Sequence, residues 1–200
     1  MASPIEMLKT SSCSSHPHQV VRMPGDGSCL FHSLSHSVYG NITFSLKVRL
    51  SIVNYIVGNW ERLGVYTCNE SGVPYSDRQC YAFFMEKETT YGSAAELMAA
   101  AEMFPFTFEV YQGGDLKARF SGSDGGPVRR LRFTGSDLTG HYDVFFPVES
   151  AASEHVSLRK NPEGEIGEQT SISEGHVNKF QRGRPKKKKM GRPKTCNSSC

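Results

Sequence analysis

This 200-residue chain has no apolar run that approaches the roughly 18 residues needed to span a membrane. Its first residues are polar and lack the apolar core of a signal peptide. We therefore expect a cytosolic or nuclear protein without a membrane partner, in which the six irregularly spaced cysteines stay reduced. The length allows one ordinary domain with tails, and such a domain buries a core without disulfide bonds.

Acidic residues are missing from one stretch, residues 179–194, which holds nine of the 23 Lys and Arg. The rest of the chain contains 14 basic and 20 acidic residues, so the formal net charge of +3 conceals an acidic body and a strongly basic tail. This division favours two partners of different kinds.

Composition divides the chain into a disordered leader over residues 1–19, a folded domain over 20–148 and a disordered basic tail over 149–200. Within the domain, helical periodicity comes first and strand-like alternation second, which predicts an α+β domain. The clearest predicted helix spans residues 45–63, and its apolar stripe consists of Leu46, Leu50, Val53, Val57 and Trp60. Another helix begins at a capping box formed by Ser93 and Glu96.

Cys29 follows a glycine-bracketed aspartate, Gly25-Asp26-Gly27, and precedes an apolar helical stretch. A thiol at a helix N-terminus beside an imidazolium has a lowered pKa, which makes it a nucleophile. The preceding loop supplies backbone N–H groups that stabilise the oxyanion formed by attack on a carbonyl. From this position alone, a small core cysteine remains the alternative.

His141 lies 112 residues after Cys29 and begins the segment GHYDVFF. If this segment is a strand, His141 and Asp143 share a face, so the carboxylate orients the imidazole ring. Tyr142 and Val144 then point the other way, into packing. A structural role for a histidine at the start of a strand remains open.

The string PGDGSCLFHS, residues 24–33, resembles the catalytic cysteine motif of the ovarian-tumour (OTU) family of cysteine peptidases. The residues 141–143 before an apolar strand resemble its histidine motif, and residues 91–111 resemble its central helix and following strand. The resemblance covers residues 20–148. It implies the OTU-like fold, a small central β-sheet flanked by helices, and a thiol-dependent deubiquitinase that hydrolyses peptide and isopeptide bonds after the C-terminal glycine of ubiquitin.

The resemblance also implies the roles of four catalytic residues. Cys29 is the nucleophile, His141 the general base and Asp143 the residue that orients it. Asp26 belongs to the cysteine loop, whose backbone helps to form the oxyanion hole. Ser28 stands where asparagine is common in the family, and no cofactor or metal is expected.

Two further features of the domain receive structural interpretations. His32 and His36 have the i, i+4 spacing of metal ligands, but no other ligand cluster accompanies them, so we interpret them as surface or core histidines. Glu96 is explained by its capping box.

The basic tail contains RGRPKK from residue 182, which resembles an AT-hook core, and a partial second copy in residues 190–194. Glycine lets the backbone lie deep in a groove, proline keeps it extended, and the arginines reach the negative potential of A·T-rich minor grooves. A nuclear import signal or a solvated tail are the alternatives. The predicted DNA-binding residues are Arg182, Gly183, Arg184, Pro185, Lys186 and Arg192.

Our leading hypothesis is a monomeric deubiquitinase whose tail favours the nucleus and A·T-rich DNA. A second hypothesis is a catalytically weak ubiquitin-binding module that the tail directs to chromatin. A third is a peptidase domain of a mobile element or polyprotein.

Overall fold

The structure, a computed structural model, describes residues 3–9, 15–123, 125–136 and 140–148. The predicted basic tail and its AT-hook-like motifs lie outside the described residues. In chain order the elements are β1 (Ile5–Lys9), β2 (Ser15–Val21), α1 (Cys29–Tyr39), α2 (Ser45–Gly58), α3 (Trp60–Leu63), a 3-10 turn (Gly64–Tyr66), α4 (Arg78–Met85), α5 (Ala94–Met103), β3 (Thr107–Gln112), β4 (Asp115–Phe120), β5 (Val128–Thr134) and β6 (His141–Pro147). Among these helices, none has the length and apolar character that a membrane crossing requires.

The six strands form one mixed sheet in the order β1-β2-β6-β5-β3-β4. The β3–β5 pairing is parallel and the other pairings are antiparallel. The helices precede β3 in the chain and pack on one face of the sheet, so the predicted α+β architecture is confirmed.

The sheet curls until its two edges meet. The Lys9 N–H of β1 donates to the Gly114 carbonyl, in the turn between β3 and β4, at 2.9 Å. One face of the sheet packs against the helices through the main apolar core, which includes Leu131 and Val144. The opposite face is enclosed by the curl and carries a second apolar cluster formed by Leu8, Val20, Tyr111 and Phe145.

The prediction of a disordered leader over residues 1–19 is wrong for residues 5–9 and 15–19, which belong to β1 and β2. Composition suggested disorder because this segment is short and polar. Its order comes from pairing with a distant strand, since β2 pairs with β6, and from complete burial of Leu8 in the second cluster.

The helix predicted over residues 45–63 is interrupted, because α2 ends at Gly58 and α3 begins at Trp60. Glycine has low helix propensity, which favours a break at this point. The predicted stripe is also wrong at two positions, since Leu46 is 44% exposed and Leu50 37% exposed. The buried face of α2 instead consists of Ser45, Val48, Arg49, Ile52, Val53 and Ile56.

Candidate active site

A tight loop places Cys29 at the first position of α1. Gly27 in this loop has a φ of +93°, and a Cβ there would collide with the Thr89 carbonyl. Glycine at this position therefore permits both the backbone turn and the close approach to residues 85–90.

The Cys29 thiol is buried and lies against the backbone of β6. The backbone N–H groups of Tyr142 and Leu30 donate to the sulfur. β2 ends at Val21, which pairs with Val144 of β6. The Tyr142 N–H therefore lies on the part of the β6 edge that β2 does not cover. The start of α1 thus lies against β6 at Tyr142, the residue that follows His141 in the chain.

Burial raises the pKa of the Cys29 thiol above its usual value. The N–H groups of Tyr142 and Leu30 act in the opposite direction, while the charges of Asp143 and Asp26 raise the pKa further. Burial and these charges therefore outweigh the two N–H groups, and nucleophilic attack requires a base that takes the thiol proton.

His141 and Asp143 share a face of β6, as the sequence predicts. The His141 Nε2 lies 3.1 Å from the Asp143 Oδ1, which leaves Nδ1 as the ring nitrogen turned away from this carboxylate. Tyr142 points to the other face, where its ring lies 4.9 Å from that of Phe133, and Val144 is buried in the main core.

The Asp143 carboxylate is almost completely buried, with an exposed fraction of 3%. Its Oδ1 also accepts a hydrogen bond from the Met23 backbone N–H at 2.9 Å. Its Oδ2 accepts one from the Arg132 Nη1 at 3.1 Å. These contacts hold the carboxylate as a fixed acceptor for the His141 ring.

Asp26, unlike Asp143, contacts the cysteine loop and His32. Its Oδ1 accepts the Ser28 N–H at 2.9 Å, and its Oδ2 lies 2.9 Å from the His32 Nε2. Burial opposes ionisation, but the His32 hydrogen bond and the Ser28 N–H together lower the pKa of Asp26. The contacts of this carboxylate within the described residues therefore hold the cysteine loop and do not include His141.

His32 anchors this loop to α2, because its Nδ1 lies 2.7 Å from the Ser45 Oγ. His36 instead packs edge-on against Phe146 at 5.5 Å. The two histidines thus have separate roles, and no group of His, Cys, Asp and Glu suited to a metal occurs in the part of the chain that the structure describes. Sequence reasoning missed the role of His32; the signal was its position one turn after Cys29, facing the loop aspartate.

Arg49 also escaped sequence reasoning, because an arginine on a helix usually faces solvent. Its side chain is fully buried and its guanidinium stacks on Phe31 at 3.9 Å. Burial lowers the pKa of Arg49 to about 10, although the charges of Glu96 and Glu88 act in the opposite direction. Its guanidinium donates to Gly27 O, the Ser28 Oγ, Met85 O, Glu88 O and Thr90 O.

Ser28 completes this contact between the cysteine loop and residues 85–90. Its hydroxyl donates to the Glu88 carbonyl at 2.7 Å and accepts from Arg49. Serine at the position where the resemblance leads us to expect asparagine therefore has a structural role in this chain.

The structural interpretation of Glu96 is confirmed. Its carboxylate accepts the Ser93 N–H at 2.6 Å in the capping box and the Tyr81 hydroxyl at 2.7 Å.

The profile of the family described as OTU-like cysteine protease matches residues 24–130, just over half of the chain. OTU domain-containing protein 5-A of Danio rerio is 30% identical over 95 residues, which are 48% of this chain and 16% of that protein. OTU domain-containing protein 5 of Homo sapiens is 30% identical over 93 residues, 46% of this chain and 15% of that protein. The chain therefore spans about a sixth of the length of these relatives.

Solved structures share the fold at lower identity. The OTU domain of OTUD1 has a TM-score of 0.55 and 19% identity, over 64% of this chain and 85% of that domain. An OTU domain in complex with ubiquitin has a TM-score of 0.53 and 17% identity, over 74% and 84% of the two chains. An OTU deubiquitinase from Wolbachia pipientis wMel bound to ubiquitin has a TM-score of 0.50 and 13% identity, over 65% and 96%.

Proposed function

Because this chain belongs to the family of OTU-like cysteine proteases, we propose that it is a deubiquitinase that hydrolyses peptide and isopeptide bonds after the C-terminal glycine of ubiquitin. The observation that carries the proposal is the pair formed by His141 and the buried Asp143 on the strand whose backbone contacts the Cys29 sulfur. The presence of ubiquitin in two structures of the same fold supports the choice of substrate.

In the proposed reaction, His141 takes the proton of the Cys29 thiol, and the sulfur attacks the carbonyl carbon of the ubiquitin glycine. The tetrahedral intermediate collapses when the bond to the substrate amine breaks and His141 returns its proton to that amine. A water molecule, deprotonated by His141, then hydrolyses the thioester and releases ubiquitin. Asp143 holds the ring and stabilises its protonated form.

The oxyanion of the intermediate needs hydrogen-bond donors. The Ser28 N–H is engaged by Asp26 and is thus withdrawn from this role. The Cys29 N–H stands at the first position of α1, where a helix provides no internal acceptor, and we assign it as an oxyanion donor. Asp26 contributes by holding the loop that presents this N–H group.

Ubiquitin that carries a C-terminal electrophile tests the proposal. The full chain becomes covalently labelled at Cys29, whereas Cys29→Ala and His141→Gln do not react. Cys68→Ala, which removes a half-buried thiol from another part of the domain, is the matched control and reacts like wild type.

Failure of the folded wild-type protein to react overturns the proposal. If that protein nevertheless binds ubiquitin, the alternative of a catalytically weak binding module replaces it. Cleavage of a panel of di-ubiquitins by wild type, with Cys29→Ala as the blank, then determines the linkage preference.

For the tail, we propose contact with A·T-rich DNA and a nuclear location, supported by the sequence of residues 182–194. Arg182→Ala with Arg184→Ala abolishes binding to an A·T-rich duplex, whereas Lys188→Ala with Lys189→Ala removes the same charge and retains most of the binding. Equal losses in both double variants contradict the hook and leave general charge attraction.

A further inference from the structure

Arg132 on β5 joins the active-site carboxylate to the N-terminal strand. It lies directly opposite Asp143 in the β5–β6 register, and its Nη1 donates to the Asp143 Oδ2 at 3.1 Å. The remaining donors face Glu6 of β1, whose Oε1 lies 2.8 Å from Nε and 2.7 Å from Nη2. A single guanidinium thus bridges two carboxylates from distant parts of the chain.

The two oxygens of Asp143 have different partners. The Oδ1 faces His141 and the Met23 N–H, whereas the contact of the Oδ2 within the described residues is Arg132. Since hydrogen bonds at both oxygens fix the rotation of a carboxylate plane, Arg132 sets the direction in which the Oδ1 meets the imidazole. Removal of Arg132 takes away the donor that the described residues provide to the buried Asp143 Oδ2. A buried carboxylate oxygen without a donor rotates or recruits a water molecule.

Glu6 determines where the guanidinium stands. It lies on the same side of β1 as the buried Leu8, while Ile5 and Met7 on the other side are more than half exposed. The pairing of β1 with β2 and the hydrogen bond from Lys9 to Gly114 hold this strand in place. Glu6 is therefore presented to Arg132 by a folded element.

Glu6 also balances the positive charge of Arg132. An unopposed arginine beside Asp143 offsets the negative charge that stabilises protonated His141 during the reaction. The carboxylate of Glu6 balances Arg132, so Asp143 receives a hydrogen bond at little cost to its electrostatic effect on the imidazole. Arg130 and Glu109 lie on the same sheet face and form their own ion pair at 3.4 Å.

We propose that Arg132 is a positioning residue for His141, acting through Asp143, and that Glu6 of the N-terminal strand holds Arg132 in place for this role. The effect on kcat that this proposal predicts rests on the proposed function. It assigns the N-terminal hairpin, which lies before the segment matched by the family profile, to the support of the active site.

Hydrolysis of a fluorogenic ubiquitin amide by the full chain provides the kinetic test. We expect Arg132→Gln to lower kcat about 10- to 100-fold with KM within about twofold, because substrate binding is unaffected while the imidazole is misaligned. Arg132→Lys recovers part of kcat, since an ammonium reaches one carboxylate but does not bridge two. Glu6→Gln has a smaller effect on kcat, because the amide oxygen still accepts from Arg132.

Arg130→Gln is the matched control, from the same face of the same strand. It breaks the ion pair with Glu109 and leaves the hydrogen bond from Arg132 to Asp143. We expect kcat of this variant to stay within about twofold of wild type, and thermal unfolding of both variants measures how much of any change in kcat follows from lost stability. An equal fall of kcat in both variants overturns the positioning role and assigns the effect to general destabilisation.

The proton NMR signal of the hydrogen bond between His141 Nε2 and Asp143 tests the proposal without substrate, with His141→Gln for assignment. We expect the signal to be lost or broadened in Arg132→Gln and retained in Arg130→Gln. A retained signal in Arg132→Gln overturns the positioning role, whether or not the protein cleaves ubiquitin. A lost signal with an inactive wild type supports the role and refutes the proposed function.

Discussion

Two arginines hold the two halves of the candidate active site in different ways. On the cysteine side, Arg49 is fully buried and donates to backbone carbonyls and to Ser28. On the histidine side, Arg132 is partly exposed and bridges the carboxylates of Glu6 and Asp143. The difference indicates that Arg49 supports the cysteine half as part of the buried core. Arg132 supports the histidine half through the orientation of one partly exposed guanidinium.

Arg49→Met breaks the cysteine side and has the largest expected effect on stability. The change leaves buried carbonyls without donors, so we expect a loss of about 3–5 kcal/mol in the free energy of unfolding. Lys47→Met, on an exposed position of the same helix, is the matched control and stays within about 0.5 kcal/mol of wild type. Urea unfolding measures both, and equal stability of the two variants contradicts the role assigned to Arg49.

Asp143→Asn and Asp26→Asn separate the two aspartates predicted as catalytic. Asp143 contacts His141, so its amide variant loses the orienting charge, and we expect kcat to fall about 100-fold or more. Asp26 contacts the loop and His32, so its variant loses only a few-fold. Steady-state hydrolysis of a ubiquitin amide measures the ratio, and a larger loss in Asp26→Asn reverses the assignment.

Alkylation of Cys29 sharpens the comparison, because the hydrogen bonds of the His32 ring within the described residues go to Asp26 and Ser45, which leaves His141 as the proposed base for the thiol. Burial raises the pKa of the thiol, so we expect His141→Gln to react about tenfold more slowly than wild type at pH 7. The gap closes as the pH rises through the raised pKa. Mass spectrometry follows the alkylation of each cysteine, with Cys68 as internal control. Equal alkylation rates of Cys29 in wild type and His141→Gln at every pH contradict the role of His141.

The same raised pKa affects stability. The folded state favours the protonated thiol, so its contribution is fully present below the ordinary thiol pKa of about 8.5 and is lost as the pH rises through the folded-state pKa. Comparison of urea unfolding between wild type and Cys29→Ala at pH 7 and pH 10 measures this. We expect wild type to lose more stability than the variant.

Asp26→Asn has the smallest expected effect on stability, because the Asp26 side chain is more than half exposed. Its lowered pKa means that the ionised form stabilises the fold above the ordinary aspartate pKa, and that this contribution is lost as the pH falls through the folded-state pKa. After allowance for solvent screening, we expect Asp26→Asn to cost less than about 1 kcal/mol at pH 6. The difference from wild type shrinks as the pH falls from the ordinary aspartate pKa through the lowered folded-state pKa, and a difference that stays constant over this range contradicts the pairing with His32.

Local patterns in the sequence predicted much of the domain. The helix starting at Cys29, the capping box at Ser93 and Glu96, and the shared face of His141 and Asp143 are all present. Each depends on residues within a few positions of one another, where backbone geometry controls which side chains meet. The ordered motifs also indicated the family.

Other features depended on contacts between distant segments. Glu6 meets Arg132 126 positions later, and the order of β1 follows from strand pairing that no local pattern shows. Arg49 is buried because carbonyls from two separate loops surround it. Periodicity alone missed this arginine and placed the exposed Leu46 and Leu50 on the buried face of its helix.

The sequence by itself therefore predicted Cys29, His141 and Asp143 as the candidate catalytic residues from local motifs and from the family that these motifs resemble. It also determined the α+β order of elements, because this order follows from periodicity along the chain. The tertiary structure decided which histidine holds the loop and which arginines support each half. Those assignments depend on direction and burial, which exist only after the sheet curls and the helices pack against it.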